Sequence, residues 1–124
     1  MNKVMLIGNV GQDPNVRYYD RDQAVATVRL ATTERGYTLS DGTCIPDRTD
    51  WHDVVFHKGM AKVVEKYVRK GDKIYVEGRI RYRSYTDKSG ASRSVVEIYA
   101  ENMEMLSPKR RQDASGSDSD ASPL

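Results

Sequence analysis

The sequence predicts an all-β domain with one helix: a five-stranded, partly open barrel, with the helix between strands 3 and 4. Three observations point there. Stretches rich in β-branched residues, with a two-residue hydrophobic period, recur across residues 1 to 106. The period turns helical once, in KGMAKVVEKYVRKG. Gly, Pro, Asp and Asn cluster between the stretches, as tight turns require.

KVMLIGNV reads as the opening strand, and GQDPN supplies turn chemistry, with Pro14 lacking a backbone donor. VRYYD reads as a short extra strand before the turn RDQ. AVATVRLATTE alternates cleanly, with Val25, Thr27, Arg29 and Ala31 on one face and Ala24, Ala26, Val28, Leu30 and Thr32 on the other. Residues 35–48 form a long loop, or a hairpin standing beyond the main sheet; TDWHDVVFH is the next strand. In the helical segment, Met60, Val63, Val64, Tyr67 and Val68 form the expected apolar stripe, and Gly71 follows the helix end. DKIYVEGRIRYRSY and RSVVEIYAENMEML are the last two strands, joined by the turn TDKSGAS. This order fits an OB-fold, a small barrel whose face and loops commonly bind oligonucleotides. An α+β sandwich could share the same string of elements, and pattern alone leaves both open.

Residues 1–106 suffice for one modest core. Residues 107–124 contain no Val, Ile, Phe, Tyr or Trp and are expected to form a disordered tail. The net charge is only +2, but it is unevenly distributed. Cations outnumber acids from Lys58 to Lys88, while the last stretch, from Gln112, carries aspartates and no cation. Cys44 is the only cysteine, so no internal disulfide can form. No run approaches the ~18 apolar residues of a membrane span. A cytoplasmic, nucleoid-associated protein is expected.

The segment GRIRYRSY carries the chemistry. On a strand, Arg79, Arg81, Arg83 and Tyr85 share one face, while Ile80 and Tyr82 share the other and look like core. The signatures of an active site are missing: no Gly-rich phosphate loop, no metal spacing, no nucleophile elbow. An enzyme is not expected, nor a cofactor or metal. Cations interleaved with rings suit an unpaired polynucleotide, whose phosphates seek charge and whose bases seek flat surfaces. The candidate rings are Trp51, Tyr37 and Tyr85, with Tyr82 as a further one unless it is core. The candidate cations are Arg79, Arg81, Arg83, Arg35, Lys62, Lys73 and Lys3. Blander readings stand beside these. Trp51 could be core, and the arginine row could pair with Glu97 and Glu101 on the next strand.

NKVMLIGNVGQDPNVRY, AVATVRLAT, TDWHDVVFH, EKYVRKGDKIYVEGRIRYRSYTDKSG and VEIYAENMEML, in that order, closely resemble the bacterial single-stranded DNA-binding protein family. The resemblance implies an OB-fold homotetramer that wraps single-stranded DNA without sequence preference, in replication, recombination and repair. It makes Trp51 a base-stacking residue and puts Tyr85 where members often have another stacking tryptophan. A third family tryptophan aligns with Gly36, beside Tyr37. A fourth aromatic aligns with His57, with Phe56 displaced by one. His52, Tyr75 and Asn2 fall on subunit contacts. The family's acidic tail with its Pro-Phe end docks repair and replication proteins. Here the chain ends SDSDASPL, which implies weakened or altered recruitment.

Overall fold

Alternation builds the strands. The structure, a computed structural model, describes residues 1–20 and 23–108. It places β1 at Val4–Val10, β2 at Asn15–Asp20, β3 at Gln23–Glu34, β4 at Tyr37–Thr38, β5 at Cys44–Ile45 and β6 at Arg48–His57. The helix α1 (Lys58–Tyr67), β7 (Lys73–Thr86) and β8 (Ser92–Met105) follow. Ala24, Ala26, Val28 and Leu30 of β3 are buried, as the period of two requires. They meet Val54 and Phe56 of β6, Ile74 and Val76 of β7, and Ile98 of β8 in one core.

The main sheet runs β1-β7-β8-β6-β3-β2, and β1 also touches β3. The five long strands β1, β3, β6, β7 and β8 therefore curl into a ring, with α1 between the third and fourth of them in chain order. Two seams are short. Only Asn9↔Ala31 and Val10↔Leu30 join β1 to β3. The parallel β6–β8 contact has three pairs, Asp53↔Glu97, Val54↔Ile98 and Val55↔Tyr99. This is the partly open OB-fold barrel expected from the order of elements.

The edge strand β2 pairs with β3 and is tied to the helix where the Tyr18 hydroxyl donates to the Glu65 carboxylate. Residues 35–48 carry a small hairpin, β4 with β5, separate from the barrel. The expected tail, beyond Pro108, lies outside the described residues.

Two expectations change. The helix buries Ala61 and Val64, and Val68 just past its end is buried with them, with Met60 packed beside, while Val63 and Tyr67 are exposed. The stripe is rotated: residues 61, 64 and 68 are one helical line, and Ala61 is too small to register in a search for bulky residues. Tyr82, expected in the core, is 75% exposed. β7 and β8 pair continuously out to Thr86↔Ser92, beyond half-buried Ile80 and its buried partner Ile98, so their ends form a two-stranded ribbon. On that ribbon both faces see solvent, and Val96, directly opposite Tyr82, is exposed too.

No helix among the described residues is long and apolar enough to cross a membrane.

Candidate nucleic-acid interface

The residues that alternate with the core make up the barrel's outer face. On β6 these are Trp51, Asp53 and His57, with Val55 on the same side but buried; on β3 the registered partners of Trp51, Asp53, Val55 and His57 are Ala31, Arg29, Thr27 and Val25. On β8 the outward residues include Glu97 and Tyr99, registered with Asp53 and Val55. On β7 they are Arg79, Arg81, Arg83 and Tyr85. Residues far apart in sequence thus share one surface, which carries rings and charges of both signs.

Trp51 is 50% exposed, which removes the core alternative. Its ring lies against Gly11, where an added Cβ would stand 2.4 Å from Cζ3. Gly11 donates its backbone N–H to the Arg29 carbonyl at 2.8 Å. The Arg29 guanidinium lies 5.7 Å from the indole centroid and also bonds Asp53 Oδ1 through Nη1 at 3.0 Å. A cation within about 6 Å of a tryptophan ring is attracted to its face. The half-open indole is thus bordered by bare backbone and a cation.

The arginine row of β7 is real, and most of it is already engaged. Arg83 donates from Nε and Nη2 to the two carboxylate oxygens of Glu97, at 3.2 and 3.1 Å, and this holds its guanidinium above the ordinary value. Arg79 Nε reaches Glu101 Oε2 at 3.1 Å. Arg81 instead lies over the Tyr99 ring, 5.1 Å from its centroid. The pairs are diagonal, i to j+2 on the antiparallel ladder, where long side chains meet. The blander reading of the row therefore holds for Arg79 and Arg83. Both side chains remain about half exposed, and a guanidinium has five donors, so each pair leaves donors facing outward.

Tyr99 is the ring that sequence reasoning missed. It stands between Arg81 and His57, whose ring centroid is 5.2 Å from its own at a 48° tilt. Its parity with Glu97 and the neighbouring arginines was readable, but the parallel β6–β8 register that brings His57 to it was not.

At the ribbon's end Tyr85 is 46% exposed and registered opposite Arg93. The Asp87 carboxylate organises the turn. It accepts from the Ser89 N–H at 3.0 Å, the Ser89 hydroxyl at 2.7 Å, the Ala91 N–H at 3.0 Å and Arg93 Nε at 2.8 Å. One carboxylate thus shapes the loop and places a second cation beside Tyr85.

The profile of the single-strand binding protein family matches residues 1–106. The chain belongs to this family. It is 60% identical over 116 residues to a single-stranded DNA-binding protein of Bacteroides thetaiotaomicron, covering 94% of this chain and 72% of that protein. It is 43% identical over 110 residues to single-stranded DNA-binding protein 1 of Xylella fastidiosa, covering 89% and 80%. Among solved structures, the Plasmodium falciparum SSB complex with ssDNA superposes with a TM-score of 0.76 at 30% identity. That match covers 86% of this chain and 95% of the other.

Gly36 has no room for any side chain: a Cβ would lie 2.0 Å from the Ile45 carbonyl oxygen and 2.6 Å from the Pro46 carbonyl carbon. Its N–H also donates to Asp47 Oδ1 at 2.6 Å. The neighbouring Tyr37, at the start of β4, is exposed. Phe56 is fully buried while His57 is exposed, because a shift of one residue reverses the face.

The remaining candidates are scattered. Arg35 and Lys73 line one shallow groove with Asn9, Thr33 and Asp47, beside the β1–β3 seam. Lys62 is on the exposed side of α1. Lys3 Nζ approaches Glu77 Oε1 at 3.5 Å. Tyr75 donates its hydroxyl to the other Glu77 oxygen at 2.7 Å, which pushes the phenol up to about 12. The Asn2 amide exchanges two 2.9 Å bonds with the Ile80 backbone, extending the β1–β7 ladder by a side chain. His52 is half-buried, with Nε2 2.8 Å from the Thr32 hydroxyl. All three expected subunit-contact residues thus have partners within the chain.

Proposed function

We propose that this chain binds single-stranded DNA without sequence preference and coats it during replication, recombination and repair. It is a binder and not an enzyme. Phosphates are held by guanidinium and ammonium groups of the outer face, and unpaired bases stack on Trp51, Tyr85 and the neighbouring rings. Tyr37 and His57 stand in for the family's other aromatics, and Tyr99 adds a further flat surface. Arg35 and Lys73 in their groove, Lys62 on α1 and Lys3 on the β1 side extend the positive path.

The observation that carries this reading is the half-open Trp51 ring beside Arg29, on the same face as the arginines of β7. Stacking contributes on the order of 1–3 kcal/mol per base and is tolerant of sequence, because every base has a π face. The working unit is a homotetramer, with Asn2, His52 and Tyr75 near subunit contacts. Replication and repair proteins are recruited through the C-terminal segment. The protein works in the cytoplasm, on nucleoid DNA.

Anisotropy titrations with labelled oligomers of about 35 nucleotides test this, since one OB fold covers only ~4–16 nucleotides. Single-stranded DNA should bind far more tightly than the same sequence as a duplex. Affinity should fall with salt, by a logarithmic slope of about 0.7 per phosphate neutralised. Equal affinity for the duplex, or no binding at low salt, would overturn the reading.

A further inference from the structure

Four strands place one row of charges across the middle of the outer face. Arg29 on β3 is registered with Asp53 on β6, Asp53 with Glu97 on β8, and Glu97 with Arg81 on β7. The row reads plus, minus, minus, plus. Like charges directly opposite one another destabilise a sheet, so the central pair has a cost that the flanking cations offset. Arg29 bonds Asp53 at 3.0 Å, and Arg83 holds Glu97 with two bonds. The Glu97 side chain is only 12% exposed and Arg83 is 52% exposed, so the carboxylate is sheltered and the guanidinium is the outer partner. Glu101 meets Arg79 through a single 3.1 Å contact, with both side chains about half exposed.

A surface shaped only for maximum attraction to a polyanion would not set carboxylates under its arginines. Resting on the single-strand reading above, we propose that Glu97 is a built-in competitor for phosphate. It shares the Arg83 guanidinium with the DNA backbone and so sets the affinity and the salt dependence of binding. The chemistry is direct. Two of the five guanidinium donors face Glu97, and the outward donors remain for a phosphate. That phosphate arrives at a pair whose charges already cancel, with Asp53 registered alongside. Its attraction is reduced, and fewer condensed counterions are exchanged for the protein's charge. Stacking on the rings is left untouched, so the balance of binding moves from charge toward stacking. Glu101 acts likewise on Arg79.

Glu97→Gln keeps the shape and removes the charge. Titrating wild type and variant with a dT oligomer over a series of salt concentrations tests the role. The variant should bind roughly two- to five-fold more tightly at low salt, the range that one exposed ion pair supplies. Its logarithmic salt slope should steepen by about 0.7, one single-strand phosphate contact. In an Arg83→Gln background the same change should have no effect, because the two residues act as one pair. Glu101→Gln gives the parallel result through Arg79 and decides the matter if Glu97→Gln fails to fold. Unchanged or weaker binding by the folded variants, with wild type binding normally, would overturn the competitor role. A wild type that binds no single strand would instead overturn the function on which that role rests.

Discussion

The indole of Trp51 lies across Gly11 so closely that a Cβ at residue 11 would stand 2.4 Å from Cζ3 and 2.9 Å from Cη2. Gly11 follows β1 and Trp51 sits on β6, while the Gly11 N–H bonds the Arg29 carbonyl of β3, the strand between them. The platform's position is therefore built into a backbone stretch with no side chain.

Gly11→Ala should move the ring and leave the barrel standing. The clashing atoms are the far end of a half-exposed side chain, which can swing away at little cost. We expect weaker binding to single-stranded DNA, by up to one stacking increment of about 1–3 kcal/mol. The unfolding midpoint in urea should hardly change. A large loss of stability with unaltered affinity would show that the ring was not being positioned.

Trp51→Ala and Tyr85→Ala should each weaken binding by about 1–3 kcal/mol. Both rings are about half exposed, so neither change opens a core cavity. Isothermal titration with a dT oligomer, beside thermal unfolding of each variant, checks the separation of affinity from stability.

Much of the barrel was legible because alternation reports parity. Ala24, Ala26, Val28 and Leu30, grouped on one face of β3 by alternation, are all buried, and Phe56 and His57 divide as a one-residue shift requires. Parity does not say how far the core extends along a strand, and that is why Tyr82 was misplaced. The site was legible in its residue types and less so in their pairing. The arginine row's pairing with Glu97 and Glu101 was readable, but which arginine meets which glutamate depends on a ladder register that includes an irregularity at Glu77 and Gly78. His57 against Tyr99 depends on the parallel β6–β8 contact, which joins strands separated by the helix and β7. No local signal in the sequence encodes either.

The ribbon turn should respond to acid below the usual carboxylate range. Arg93 first, then Ser89 and the Ala91 N–H, bring the Asp87 carboxyl down from 3.8 to about 2. The folded value lies below the unfolded one. The stabilisation is therefore fully present above pH 3.8 and is lost as pH falls toward 2. Amide chemical shifts of residues 87–93 should titrate near the lower value, and Asp87→Asn should abolish that titration. A midpoint at 3.8 would mean that the Arg93 and Ser89 bonds do not persist in solution.

Gly36→Ala should behave unlike Gly11→Ala. Here the Cβ meets backbone, 2.0 Å from the Ile45 carbonyl oxygen, and backbone cannot swing aside. We expect about 1–3 kcal/mol of destabilisation, the usual cost of overpacking. The β4–β5 hairpin and Tyr37 should shift. Urea unfolding and amide shifts of residues 36–47 would register both.

Trp51 is the chain's one tryptophan, so intrinsic indole fluorescence reports on a single ring. Titrating the protein with poly(dT) at low salt, then adding salt to the complex, tests base stacking most directly. Saturable quenching that reverses as salt is added is the expected result. Fluorescence that stays constant while anisotropy shows DNA bound would contradict stacking on this face.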